Sequence, residues 1–206
     1  MRNVIIGLII AAVFWFIMFS PWTKDSVNFW IMMTVAASTL IVFSLTAAKD
    51  YIKSYFAVKG KLIVIGLVSA AVLYLIFFVG NYISSLLFDF SRNQIENIYS
   101  TKEQADKIHI AAALLFIIGP AEEIFWRGFI QHSFAEKYGD TKAFIIATLI
   151  YALVHLWSFN FMLIMAALIC GLFWGWIFLK FKSLVPVIIS HAVWDVAIFV
   201  IIPISV

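Results

Sequence analysis

Charge is scarce in this chain. Of its 206 residues only 12% are charged while 65% are hydrophobic, and mean hydropathy is +1.06. A soluble globular domain carries about a quarter charged residues. One water-facing core cannot hide so much apolar surface, so lipid must solvate part of it. Period-two alternation is also missing, which excludes a transmembrane barrel. Cysteine is nearly absent: Cys170 is the only one. No intramolecular disulfide can form, and a metal site built on thiolates is excluded. Nor is there a concentrated charge of one sign. The net charge of +3 is spread among loops, as suits lipid headgroups, and forms no nucleic-acid patch.

What the chain does have is long apolar runs. In a bilayer every backbone polar group needs an internal partner, and continuous runs of about 20 residues meet that need as helices. The expected fold is all-α, a polytopic transmembrane helical bundle of about seven spans, give or take one. They run roughly over 4–20, 27–47, 62–88, 108–133, 142–157, 160–179 and 184–205. The stretch 89–107 is the one clearly soluble segment, read as an interfacial loop or short helix. Met1 to Asn3 followed by an apolar run resembles a signal peptide, but Ser20-Pro21-Trp22 carries no cleavage pattern, so it is read as an uncleaved first span. We find no repeat and treat 1–206 as one membrane domain, with 1–107 as N-terminal spans and loop and 108–205 as a catalytic core.

Basic residues set the expected orientation. Arg2, Lys49, Lys53, Lys59, Lys61, Lys137, Lys142, Lys180 and Lys182 share the N-terminal side, against Lys24, Arg92, Lys102 and Lys107 on the other. Nine against four favours the N-terminus inside and, with seven spans, the C-terminus outside. Short length and the lack of organelle signals point to a prokaryotic plasma membrane.

A few ionisable residues fall where charge is costly. A charge near the bilayer centre costs at least about 2.5 kcal/mol on insertion scales. Eight of the eleven acids lie in loops; Glu122, Glu123 and Asp195 do not. His155 and His191 also fall well within spans, whereas His109 and His132 lie near span ends. In Gly119-Pro120-Ala121-Glu122-Glu123-x-x-x-Arg127, glycine and proline are expected to break the fourth span. The glutamates would then lie near a new helix N-terminus, where the dipole favours negative charge. Glu123 and Arg127, four apart, suit an ion pair. Glu122 points about 100° away, leaving it free to face a cavity. Tyr151 and His155 are one turn apart, as are His191 and Asp195, so that Asp195 can orient the imidazole.

Each feature alone has a plain structural explanation: a buried ion pair, a histidine bonded to a carbonyl, a polar clasp, aromatic packing. Three separate spans, however, each bring an acid or an imidazole to similar depth. Counting rise per residue places Glu122, His155 and His191 in one layer between the midplane and the inner face. That leaves hydrolysis, metal binding, or an ion or proton path as readings, with a transporter or scaffold as the non-enzymatic alternative.

The three motifs in order resemble those of the CPBP family, the CAAX-protease and bacteriocin-processing (Abi) intramembrane endopeptidases. The likeness covers roughly Ile108 to Pro203, including the glycine-bearing span with Gly171 and Gly175. The resemblance implies peptide-bond hydrolysis within the membrane, on a peptide or lipidated-protein substrate such as a prenylated one. It implies that Glu122 and His155 activate a water, that His191 and Asp195 stabilise the oxyanion, and that Glu123 and Arg127 support them. Two departures stand out. Tyr151 replaces the usual phenylalanine, with little effect expected. Asp195 stands where asparagine is common, and an ionised Asp195 cannot donate a hydrogen bond. Asp195 would also serve as a metal ligand, so Glu122, His155, His191 and Asp195 could hold zinc. We favour the metal-free glutamate mechanism, and a catalytic layer open toward the inner leaflet and cytoplasm.

Overall fold

Among the described residues seven helices are long and apolar enough to cross a membrane. The computed structural model describes residues 1–204, and no strand occurs among them. The spans are α1 (Arg2–Phe19), α2 (Phe29–Ser54), α3 (Gly60–Leu87), α5 (Lys107–Tyr138), α6 (Asp140–Ser158), α7 (Phe161–Phe181) and α8 (Leu184–Ile201). The soluble stretch folds as α4 (Ser91–Tyr99), followed by a tighter turn over Ser100–Gln104. Helix α4 is amphipathic. Arg92, Asn93, Glu96 and Asn97 are exposed, and Ile95, Ile98 and Tyr99 turn inward.

Three of the spans have their first-turn N–H groups met by side chains, which an apolar setting favours. Asn28, Asn160 and Ser183 accept from the first turns of α2, α7 and α8. The α4 segment adds a second set of partners. Gln104 accepts from Asn28 Nδ2 and, through its side chain, from the Phe29 amide. Gln94 does the same for Asn160 Nδ2 and the Met162 amide. The soluble segment thereby ties together the starts of α2 and α7 on the side opposite the N-terminus.

Small residues set the close approaches. Gly171 and Gly175 lie where α7 packs on α6; a Cβ there would stand 3.1 Å from Thr148 and 3.0 Å from Phe144. Gly66 brings α3 against α8, where a Cβ would meet that of Ile189 at 2.7 Å. Gly119 does the same between α5 and α8, 3.1 Å from Ala192. Gly139, at φ +82°, makes the turn from α5 to α6.

The expected break at Gly119-Pro120 does not occur. Helix α5 is continuous, and Gly119 keeps helical angles of −56° and −50°. Proline removes an amide donor and crowds the carbonyl one turn back. Here the chain widens instead: the Gly119 amide donates five residues back to Leu114, and Leu114–Ile118 and Ile124–Gln131 form π-type turns. Glu122 and Glu123 therefore lie inside a helix, not at an N-terminus, and the dipole argument does not apply to them.

Candidate active site

The vicinal glutamates have different surroundings. Glu123 is 0% exposed. Its Oε1 accepts from Arg127 at 2.8 Å and from His191 Nδ1 at 2.7 Å. Arg127 also donates to the Cys170 carbonyl at 3.3 Å. Its guanidinium stands 4.9 Å from the Tyr151 ring centre and 5.5 Å from that of Trp174, where the ring faces favour a cation. Glu122, on the neighbouring face, lines a cavity. Its Oε2 accepts from the Tyr151 hydroxyl at 3.1 Å.

His191 is held between two carboxylates. Nδ1 meets Glu123, and Nε2 lies 3.3 Å from Asp195 Oδ2. With an acceptor at each nitrogen, the doubly protonated ring is the form that donates to both. Arg127 and His191 then balance Glu123 and Asp195, so the cluster is electrically neutral before Glu122 is counted. The imidazole also stacks on Trp174, with centroids 3.8 Å apart and planes 17° from parallel. Trp174 is fixed in turn by donating to Ser190 Oγ.

His155 lies in a tight turn, Val154–Ser158, ending α6. Its Nδ1 donates to the Tyr151 carbonyl at 2.7 Å, and its Nε2 accepts from Trp15 Nε1 at 3.0 Å. An Nε2 that accepts is unprotonated, so the ring is the neutral Nδ1–H tautomer. His155 makes no direct bond to Glu122 or His191. Tyr151 connects them, with its hydroxyl on Glu122 and its carbonyl on His155.

Reasoning from sequence missed three contributors: Trp15, Trp174 and the Tyr151 hydroxyl. Tryptophans in membrane helices are ordinarily read as packing or belt residues, and Trp15, one turn from the end of α1, carries no mark that sets it apart. The Tyr151 hydroxyl was visible as a departure from phenylalanine, but its partner was not. His109 and His132 stand apart from the site. His109 is exposed beside Asp106, and His132 stacks on Tyr51 and bonds the Tyr55 hydroxyl at 2.6 Å.

The cavity measures about 440 Å³. Glu122, His155, His191 and Asp195 line its deep end, and aromatic and aliphatic side chains line the rest. Its outer wall is made by Phe19, Phe29, Leu87, Ile98, Tyr99 and Phe161. All belong to helix ends on the α4 side. Burial holds the Tyr99 phenol above its ordinary pKa, so this wall adds no charge. The expected opening toward the N-terminal side is therefore reversed. On that side the layer holding Glu122 and His191 is plugged by the buried Phe125, Trp126, Arg127 and Phe129. Gln131, also buried, closes α5 onto α7 by donating to the Gly175 carbonyl at 3.0 Å.

The four side chains considered for zinc do not converge. Among the described residues no group of three or more His, Cys, Asp or Glu is arranged to hold a metal. Both nitrogens of each imidazole already face protein partners. The residues present do not fit a zinc ion in this arrangement.

The family model for type II CAAX prenyl endopeptidase Rce1-like proteins matches residues 104–197. That stretch holds all three motifs. No curated protein and no solved structure was found to match.

Proposed function

We propose that this chain, which belongs to the CPBP family of CAAX-type endopeptidases through residues 104–197, is an intramembrane protease with Glu122 as its principal base. The observation that carries this reading is the division of the glutamate pair. Glu122 lines the cavity, and Glu123 is buried against Arg127 and His191.

A water beside Glu122 attacks the scissile carbonyl carbon and gives its proton to the carboxylate. The developing oxyanion takes a hydrogen bond from His191 Nε2–H, whose contact with Asp195 is loose at 3.3 Å. Such donors, preorganised in a dry site, are worth about 2.7–4 kcal/mol of barrier each. As the C–N bond breaks, the proton passes to the leaving amine, giving one carboxylate and one amine. His155 joins the proton transfer when its Nε2 is released by Trp15. Glu123 and Arg127 act through His191: they hold the ring in place and complete the charge balance around it.

The metal-free route is supported by the engagement of both imidazoles with protein partners. The test is cleavage of a membrane-anchored peptide by purified protein in liposomes, run in ¹⁸O-labelled water. We expect label in the new carboxyl group and unchanged turnover with a chelator. Absence of any cleavage across a panel of anchored peptides would count against the protease reading. An order-of-magnitude loss on chelation, restored by zinc, would replace the metal-free mechanism.

A further inference from the structure

His155 sits in a short, strained connection between two spans. The turn Val154–Ser158 ends α6, and α7 begins at Phe161. Between them Phe159 takes the left-handed conformation, at φ +49°. A bulky residue is disfavoured there and persists only where its surroundings over-determine the backbone. A line of hydrogen bonds supplies that restraint. The Ser158 hydroxyl donates to the His155 carbonyl at 2.7 Å and accepts from the Asn160 amide at 3.1 Å. Asn160 caps α7 through Oδ1, which accepts from the Leu163 amide at 2.9 Å. Its Nδ2 donates to the Gln94 carbonyl at 2.8 Å, and the Gln94 side chain accepts from the Met162 amide at 3.0 Å. The line therefore runs from His155 through Ser158 and Asn160 to α4, 66 positions before Asn160.

We propose that Gln94 is a positioning residue for His155, which makes the α4 segment a working part of the site as well as its cover. The inference rests on the protease reading for the part His155 takes in proton transfer. Gln94 lies outside the stretch that matches the family model.

The clasp also touches the cavity. Ile95 and Ile98, on the same short helix as Gln94, line it, and so do Met162 and Leu163 at the clasped start of α7. A shift of α4 is thus passed to the turn that bears His155. Gln104 provides an internal comparison, because it makes the same two bonds to α2. Its carbonyl accepts from Asn28 Nδ2 at 2.8 Å, and its side chain accepts from the Phe29 amide at 2.6 Å. The route from that clasp to His155 is through ring packing, Phe29 on Phe19 and Phe19 on His155. Gln94 and Gln104 are therefore alike as tethers and differ in what they hold.

The test compares the two clasps on one membrane-anchored peptide that the parent protein cleaves in liposomes, with thermal unfolding measured alongside. Gln94→Ala and Gln104→Ala each remove one side-chain bond to a helix start. We expect similar small losses of stability from both. Gln94→Ala alone should lower kcat, by about tenfold with KM unchanged. Gln94→Glu keeps an acceptor for the Met162 amide, at a helix start where negative charge is favoured, and should restore kcat. Ser158→Ala cuts the same line nearer His155, so combining it with Gln94→Ala should lower kcat no further than the worse single variant. Equal kcat in Gln94→Ala and Gln104→Ala, or purely additive losses in the double variant, overturns the inference and leaves the protease reading untouched. Hydrogen exchange needs no substrate. The amides of 154–158 should exchange faster in Gln94→Ala than in Gln104→Ala, and equal exchange overturns the inference as well. If exchange differs as expected and the parent protein cleaves no anchored peptide, it is the protease reading that fails.

Discussion

The Trp15 indole donates to Nε2 of His155 at 3.0 Å across 140 residues of sequence. That bond occupies the lone pair through which the imidazole would take a proton. In this state Glu122, which lines the cavity, is the proposed base, and the Nε2 lone pair of His155 is engaged by Trp15. Substitution of Trp15 by phenylalanine keeps an aromatic ring but removes the donor. We expect turnover per folded molecule to match or exceed wild type, with some loss of stability, as measured by cleavage rate and thermal unfolding in detergent. A fall of about tenfold or more, equivalent to about 1.4 kcal/mol, would make the indole bond a requirement of catalysis.

Tyr151 is the link between Glu122 and His155, but only its hydroxyl departs from the phenylalanine usual in the resembled family. Tyr151→Phe leaves the carbonyl bond to His155 in place and removes the 3.1 Å bond to Glu122. A hydrogen bond to a charged group is worth about 1.5–3 kcal/mol. We expect kcat to drop by about 10- to 100-fold with KM unchanged. Loss of all activity would mean that the hydroxyl takes part in the chemistry.

Arg127→Ala should act on the fold before it acts on chemistry. It leaves Glu123, 0% exposed, facing His191 alone. Breaking a buried pair by removing one partner costs about 3–5 kcal/mol. A clear drop in thermal stability is expected, together with loss of turnover as His191 loses its anchor. An unchanged melting temperature with abolished activity would assign Arg127 to the reaction itself.

The spans were legible because apolar runs of this length have one low-cost solution in lipid. The divided glutamates were legible as well, since neighbours on a helix point about 100° apart. Three features were not. The continuity of α5 through Gly119-Pro120 depends on a π-type turn, which absorbs the missing amide bond and leaves no simple mark in the residues. The second carboxylate on His191 comes from Glu123 across 68 positions, and the sequence paired that glutamate with Arg127 alone. The direction in which the cavity opens depends on how α4 bridges α2 and α7 through Gln104 and Gln94. Depth counting along single helices contains no such information, and it placed the opening on the wrong side.

The division of labour between Glu122 and Glu123 is the central claim, and their separate conversion to glutamine tests it most directly. Glutamine keeps the size and removes the charge. Both variants would be assayed on one membrane-anchored peptide in liposomes, with thermal unfolding measured alongside. Glu122→Gln should unfold like wild type and lose turnover by about 10²–10⁴-fold, the usual worth of a positioned general base. Glu123→Gln should lose stability first. Wild-type turnover by Glu122→Gln on a peptide that the parent protein cleaves would contradict the account.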